Sequence, residues 1–422
     1  MSLLLGCIAD DFTGATDLAG MLVRAGMRTV QMIGVPQGPL PGDVDAVVIA
    51  LKSRTTPPQD AVRESLAALD WLRDAGCRQF YFKYCSTFDS TDRGNIGPVT
   101  DALMDALGTD FTIACPAFPE NKRTIFKGYL FVGDELLSES GMRNHPLTPM
   151  TDANLVRVLQ KQTSRKVGLV GHEVVARGAT AITAHIAALK RDGVQIAIVD
   201  AVSNEDLMRI GAALADMPLV TAGSGIALGL PQNFRSAGLL AEGAVAGALN
   251  VPQGLRAVIS GSCSVATNAQ VAHFIASGRP AFAIDPLRLA EGEDLVGMAL
   301  DWAAPLLPEG PPLIYATAAP DAVKAVQARL GVERAGLLVE EALAAIARGM
   351  VARGVRQMLV AGGETSGAVV QALGVSGLHI GPQIDPGVPW TTTLGDTPMA
   401  LALKSGNFGS VDFFTKAWSV LP

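Results

Sequence analysis

The sequence predicts an α/β protein of two domains, each a mostly parallel β-sheet flanked by helices, with a ligand cleft between them. Three observations lead there. Short apolar runs alternate with helical patterns along the chain, as in βαβ units. Its 422 residues exceed what one hydrophobic core usually supports. Hydrophobic residues make up 49% and charged residues 17%, with 45 Gly and 25 Pro, a composition of compact chains rich in short turns.

The first element, residues 3–9, is a continuous apolar run of the kind covered on both faces. It runs into IADDFTGATDLAG (8–20), where Ala15, Leu18, Ala19, Leu22 and Val23 share one face of a helix ending at Gly26. Further strands are predicted over 29–33, 46–51, 79–83, 111–115, 167–170, 195–199 and 219–221. KGYLFVGDELLSES (127–140) predicts a hairpin or flap, and NHPLTPM (144–150) an irregular loop. A second strand series occupies 256–261, 280–285, 311–317, 356–363 and 399–406. Between the series, LAEGAVAGALNVPQG (240–254) predicts an alanine-rich helix followed by Pro252 and Gly254. The domain boundary is set there, giving 1–245 and 246–422.

A formal net charge of −7 without any run of Lys or Arg argues against nucleic acid and anionic membrane surfaces as partners. Cys7, Cys77, Cys85, Cys115 and Cys263 are an odd number and widely spaced, as reduced core residues are. No metal-ligand spacing, secretion signal or long apolar span is visible, so a cytoplasmic protein is expected. TAGSGIALG (221–229) reads as a tight turn, because its third glycine is one position late for a dinucleotide fingerprint. His185, His273 and His379 read as structural or exposed, and Trp390 as core or flap.

Asp10 and Asp11 end the first strand, where ligands of open parallel sheets bind. Successive strand positions point opposite ways, so one carboxylate is expected to face the cleft while the other ties down the turn. The plainer alternative has both capping the helix. FKYCSTFDSTDRGNIGPV (82–99) crowds Lys83, Ser86, Thr87, Asp89, Ser90, Thr91, Asp92, Arg93 and Asn95 after another strand. It suits either a polyhydroxylated ligand or a solvated loop capping the next helix. In ALKSRTTPP (50–58), Arg54 can grip a carboxylate through two parallel hydrogen bonds, which Lys52 cannot. In the second half, VISGSCSVATNAQV, LVAGGETSGAVVQALGV and LALKSGNFGSVDFF each place glycines and hydroxyls where a strand gives way to a helix or turn. Such turns let backbone N–H groups approach phosphates, and GxxxxGK[ST] is absent.

Together IADDFTGATDLAG, KYCSTFDSTDRGNIGPV, SGSCSVATNAQV, AGGETSG, GPQIDPGVPW and LKSGNFG, in order from residue 8 to about 414, resemble the four-carbon acid-sugar kinase family. The KYCSTFDST form resembles its 3-oxo-tetronate kinase branch. The resemblance implies an N-terminal domain for the sugar acid, a C-terminal domain for ATP, and phosphorylation of the terminal (4-) hydroxyl of a 3-oxo-tetronate. It places ATP contacts at Ser260, Gly362, Gly363, Glu364, Thr365 and Gly406. Substrate contacts fall among Asp10, Asp11, Arg54, Lys83, Ser86, Asp89 and Ser90. Phosphoryl transfer needs aligned reactants and excluded water, so domain closure is expected. One of Asp10, Asp11 or Asp89 would deprotonate the hydroxyl, and Arg54 or Lys83 would pair with the substrate carboxylate. Mg2+ would bridge the phosphates, with Glu364 a candidate carboxylate or simply a helix cap. The rival readings are a D-threonate or D-erythronate kinase, an NAD(P)-dependent oxidoreductase, and a non-catalytic acid-sugar binding protein. A homodimer is compatible with the sequence.

Overall fold

The structure, a computed structural model, describes residues 3–421 apart from 39, 41, 43, 146 and 242–245. The chain divides into two compact units, Met1–Gly247 and Ala248–Pro422.

In the first unit the strands pair in parallel in the order Thr29–Ile33, Ala46–Ala50, Leu5–Ala9, Gln79–Lys83, Leu219–Ala222, Thr112–Cys115, Ile196–Val199, Val167–Val170. Every residue of Leu5–Ala9 and Ala46–Ala50 is buried, which is why both read as unbroken apolar runs. The predicted strand limits hold to within two residues. The Phe12–Arg24 helix buries residues almost all round, Ala15, Leu18, Ala19 and Leu22 among them, and Asp17 is buried with them. The expected flap is an antiparallel sheet of Arg123–Phe126, Tyr129–Val132 and Glu135–Leu136. Asp200 ties it down by accepting from the N–H groups of Lys127 (2.6 Å), Gly128 (2.8 Å) and His172 (3.0 Å). The loop expected over 144–150 includes Pro146, which lies outside the described residues. In TAGSGIALG a Cβ at Gly225 would stand 2.3 Å from the Ala117 carbonyl oxygen, so the glycine permits a close packing of two turns.

In the second unit, Ala281–Ala283, Leu313–Tyr315, Leu255–Ser260, Val355–Ala361 and Ala400–Lys404 run parallel. Antiparallel Val388–Thr393 and Gly377–Asp385 extend the sheet. This hairpin is absent from the sequence reading because Pro382, Pro386 and Pro389 punctuate it. The structure places Pro386–Gly387 at its turn, Gly387 at φ +81°, and shifts the register beside the other prolines. Trp390 is fully buried in the core and donates to the Ala417 carbonyl at 2.8 Å. The alanine-rich helix expected after residue 240 and before Pro252 is corrected. Residues 242–245 lie outside the described ones, and the described remainder forms no helix, the glycines and Pro252 leaving too short an apolar stripe to pack.

Candidate functional site

Three strand ends of the first unit are tied to one another through Asp10. Its N–H donates to the Lys83 carbonyl (3.0 Å), and its own carbonyl accepts from Ser53 N–H (3.0 Å) and Arg54 N–H (3.2 Å). The side chains repeat the pattern. Arg54 donates Nε to Asp10 Oδ2 (3.0 Å) and Nη2 to Asp10 Oδ1 and Asp11 Oδ1 (both 2.7 Å), while its Nη1 lies 3.8 Å from Asp89 Oδ2. Asp11 also caps the helix, accepting from Gly14 N–H (3.0 Å) and Thr13 Oγ1 (2.9 Å). The expectation that one aspartate ties down the turn holds for Asp11, but the two are not separate, since they share Arg54. The turn into the helix swings Asp11 back, so both carboxylates hold Arg54.

Burial pushes the Asp10 carboxyl up, and Arg54 only partly opposes it. Burial would raise Asp11 too, but the charges of Arg54 and Lys83 and the bonds from Thr13 and Gly14 outweigh it and hold Asp11 low. Two adjacent carboxylates thus have separated proton affinities, as an acid and base pair requires.

Arg54 spends Nε and Nη2 on these carboxylates, and its Nη1, 3.8 Å from Asp89, makes no hydrogen bond among the described residues. Lys83 is only 2% exposed, and among the described residues its ammonium makes a single hydrogen bond, to the Tyr84 carbonyl (2.8 Å). That leaves two of its three donors without a hydrogen bond. A Cβ at Gly14 would stand 2.9 Å from Lys83 Nζ and 2.3 Å from Asp11 Oδ1, so the helix can pass here only as glycine.

The loop after Lys83 is shaped by Phe88. Its backbone is left-handed (φ +53°), which is costly for a bulky residue. Its buried ring packs edge-on to Tyr84, with centroids 5.4 Å apart, and holds that conformation in place. Asp89 follows, accepting from Thr87 Oγ1 at 2.6 Å and facing Arg54. Ser86 is buried. Ser90 is buried and accepts from Gln162 Nε2 at 2.8 Å, so it serves the loop's own framework. Asn95 donates Nδ2 to the carbonyls of Ser53 (2.7 Å), Arg54 (3.3 Å) and Thr56 (2.9 Å), pinning the segment that carries Arg54. A cavity of about 360 Å³ lies beside this loop, lined by Ser90, Asp92, Arg93, Met150 and Lys161 among others.

In the second unit the three glycine turns interlock. Gly362 N–H donates to the Lys404 carbonyl (2.8 Å), and Gly261 and Ser262 N–H donate to the Ala361 carbonyl (3.0 and 3.2 Å). Gly362 has φ +120°, and a Cβ there would lie 3.1 Å from Ser262 N. The Gly406 carbonyl accepts from Ser264 Oγ (2.5 Å) and Thr267 Oγ1 (2.8 Å), and a Cβ on Gly406 would meet Ser262 Oγ at 2.4 Å. Ser260 is buried, its hydroxyl 2.7 Å from Thr317 Oγ1. Ser264 caps the Val265–Ala276 helix, whereas the Gly363–Ala372 helix has no side-chain cap, which suits its first N–H groups to an anion. Gly363 and exposed Glu364 open this helix, and buried Thr365 follows.

Sequence reasoning missed Gln162 and Asp17 as candidates, and it placed Lys404 in the third glycine turn without giving it a role. Lys404 is fully buried and donates to Thr267 Oγ1 (2.9 Å), Ser405 O (2.9 Å) and Gly406 O (3.1 Å). Burial pulls its ammonium down to about 7, against the pull of Asp385. A lysine closing an apolar strand signals a buried, bonded cation. Asp17, inside an apolar helix, carries the same kind of signal. Among the described residues no group of three or more His, Cys, Asp or Glu could hold a metal, and no helix is long and apolar enough to cross a membrane.

Residues 5–230 match the sugar-binding N-terminal domain family and residues 257–414 the nucleotide-binding C-terminal domain family. The chain is 66% identical over 418 residues to the 3-oxo-tetronate kinase of Burkholderia multivorans, covering 99% of this chain and 97% of that one. It is 65% identical over 418 residues to the 3-oxo-tetronate kinase of Cupriavidus necator, covering 98% and 96%. A solved structure from Salmonella typhimurium LT2 shares the fold with a TM-score of 0.85 at 46% identity, covering 98% of each chain. With both domain families in order and such identity along nearly its whole length, the chain belongs to the four-carbon acid-sugar kinase family.

Proposed function

We propose that this chain is an ATP-dependent kinase that phosphorylates the terminal (4-) hydroxyl of a 3-oxo-tetronate. What carries the reading is the full-length similarity to 3-oxo-tetronate kinases, 62–66% for four of them. The geometry supports a division of labour. Lys83, with two donors unspent, pairs with the substrate carboxylate, and Ser86 reaches its hydroxyls. Asp10 is the general base, its raised proton affinity suited to taking the hydroxyl proton as the oxygen attacks. Arg54 fixes Asp10 and Asp11, and Asp89 orients the acceptor. This departs from an Arg54 that grips the substrate through a two-bond fork, because its Nε and Nη2 already hold Asp10 and Asp11 and, among the described residues, only Nη1 keeps free donors.

On the nucleotide side, the Gly362–Gly363 turn and the uncapped helix start receive phosphates. Ser260, Thr365 and Gly406 complete the cradle, and Lys404 braces the last turn. Glu364, exposed in the first turn, fits a Mg2+ that keeps most of its waters; the ion would neutralise charge developing on the phosphates. Phosphoryl transfer asks the protein for positioning and charge stabilisation rather than covalent chemistry, and these residue types supply both. All five cysteines are free, which suits a reducing cytoplasm.

The test is ADP release with ATP against a panel of 3-oxo-tetronates, D-threonate and D-erythronate, using wild type, Asp10→Asn and Asp11→Asn. Turnover is expected on a 3-oxo-tetronate, with Asp10→Asn losing several orders of magnitude while still binding ATP. Preference for a reduced tetronate would reassign the substrate. Near-normal rates in Asp10→Asn would move the base to Asp89.

A further inference from the structure

Asp17 stands one helical turn beyond Gly14, on the face along which Lys83 Nζ lies. It is 3% exposed. Ser224 Oγ donates to its Oδ2 at 2.5 Å, while Oδ1 is buried without a hydrogen-bond partner. The charges acting on it come from three elements: Lys83 at its strand end, Asp11 at the helix start, and Arg123 at the base of the flap. Arg24, further along the helix, and Tyr81, on the Lys83 strand, also face it. Arg24 is spent on Glu120, and the Tyr81 hydroxyl on the Gly223 carbonyl.

Within this cluster the carboxylates of Asp10, Asp11, Asp17 and Asp89 outnumber the cations Arg54, Lys83 and Arg123. A sugar acid brings one more negative charge to a place already in excess. Something must give up charge, and Asp17 is the group best placed to do so. Among the described residues it is the one carboxylate of the cluster that keeps a buried oxygen unsatisfied, and no guanidinium is hydrogen-bonded to it.

We propose that Asp17 takes up one proton from solvent when a sugar acid binds beside Lys83, so that arrival of the substrate carboxylate and neutralisation of Asp17 are a single coupled step. The proton adds to Oδ1 and stays there as a carboxylic acid, and no bond of the substrate changes. This rests on the reading of Lys83 as a substrate-binding residue. Burial raises Asp17 to about 7, the range in which such coupling is felt.

The experiment is calorimetric titration of the full chain with 3-oxo-tetronate, without nucleotide, from pH 6 to 9 in two buffers of different ionisation enthalpy. About one proton is taken up per substrate at pH 8 and none at pH 6, and the dissociation constant weakens about tenfold per pH unit above 7. Asp17→Asn abolishes both the uptake and the slope. Ser224→Ala removes a bond that favours the charged form, so it moves the onset of the slope to higher pH and guards against an unfolded Asp17 variant. Lys404 titrates in the same range, and persistence of the slope in Asp17→Asn would assign it elsewhere and overturn the proposal. Substrate binding with no buffer-dependent heat at pH 8 would also overturn it. Absence of binding at every pH would overturn the substrate reading itself, a different result.

Discussion

Replacing Arg54 by methionine keeps most of the side-chain volume and removes the charge that two carboxylates share. The loss can be scaled from the contacts. Arg54 makes three hydrogen bonds of 2.7–3.0 Å to Asp10 and Asp11, with the third carboxylate 3.8 Å away. Breaking a buried ion pair by removing one partner costs about 3–5 kcal/mol when the remaining charge stays ionised. The cost depends on pH in a defined direction. Asp10 already has a raised proton affinity, so its contribution favours the fold in acid and fades as pH rises through its folded-state value. Asp11 is held low chiefly by Arg54 against burial, so it stabilises at higher pH, and that contribution disappears in the variant. Both changes make Arg54→Met worse in base than in acid. Urea unfolding at pH 5 and pH 8 should show a destabilisation larger at pH 8 by at least about 1.4 kcal/mol, the equivalent of one pKa unit. A destabilisation below about 1 kcal/mol, or one equal at both pH values, would refute the view of Arg54 as the clasp of a buried acidic pair.

Three other substitutions probe the frame. At Phe88, glycine should be better tolerated than alanine by about 1 kcal/mol despite being smaller, because only glycine adopts φ +53° without strain; equilibrium unfolding checks the order. Asn95→Ala removes three bonds to carbonyls of the Arg54 segment, of which, among the described residues, only that of Ser53 keeps another donor, Thr56 Oγ1, and should cost about 1–3 kcal/mol while raising KM for the sugar acid and leaving KM for ATP unchanged, as initial-rate kinetics will show. Gly406→Ala drives a methyl to within 2.4 Å of Ser262 Oγ, so ATP should raise the melting temperature much less than in wild type, while the sugar-acid affinity is kept.

Much of the frame was legible because the sheets are buried on both faces. Apolar runs mark their strands, and a charge that ends such a run, as Asp10 and Lys83 do, stands at the strand's carboxyl end. Partnership was not legible. Arg54 and Asp10 are 44 positions apart, and Ser90 and Gln162 are 72 apart, so no spacing rule links them. The sequence reading thus paired Arg54 with the substrate carboxylate and did not show that its Nε and Nη2 hold Asp10 and Asp11. Alternation along an ideal strand sent Asp10 and Asp11 apart, whereas the helix cap bends the chain and returns them to one guanidinium. The Gly377–Asp385 and Val388–Thr393 hairpin was hidden because prolines, which disrupt central strands, are tolerated at its turn and register shifts. Asp17 was not legible because a lone acid inside an apolar helix belongs to no motif and its partner, Ser224, lies 207 positions away.

The left-handed backbone at Phe88 couples the acidic loop to the integrity of the interior. That twist is sustained by a ring wedged beside Tyr84, and released from the wedge the segment relaxes to an ordinary conformation that turns Asp89 elsewhere. Warming or dilute denaturant that merely loosens this packing therefore disarms the loop before the sheet melts. Catalytic competence becomes an early gauge of core quality, fading ahead of any optical sign of unfolding.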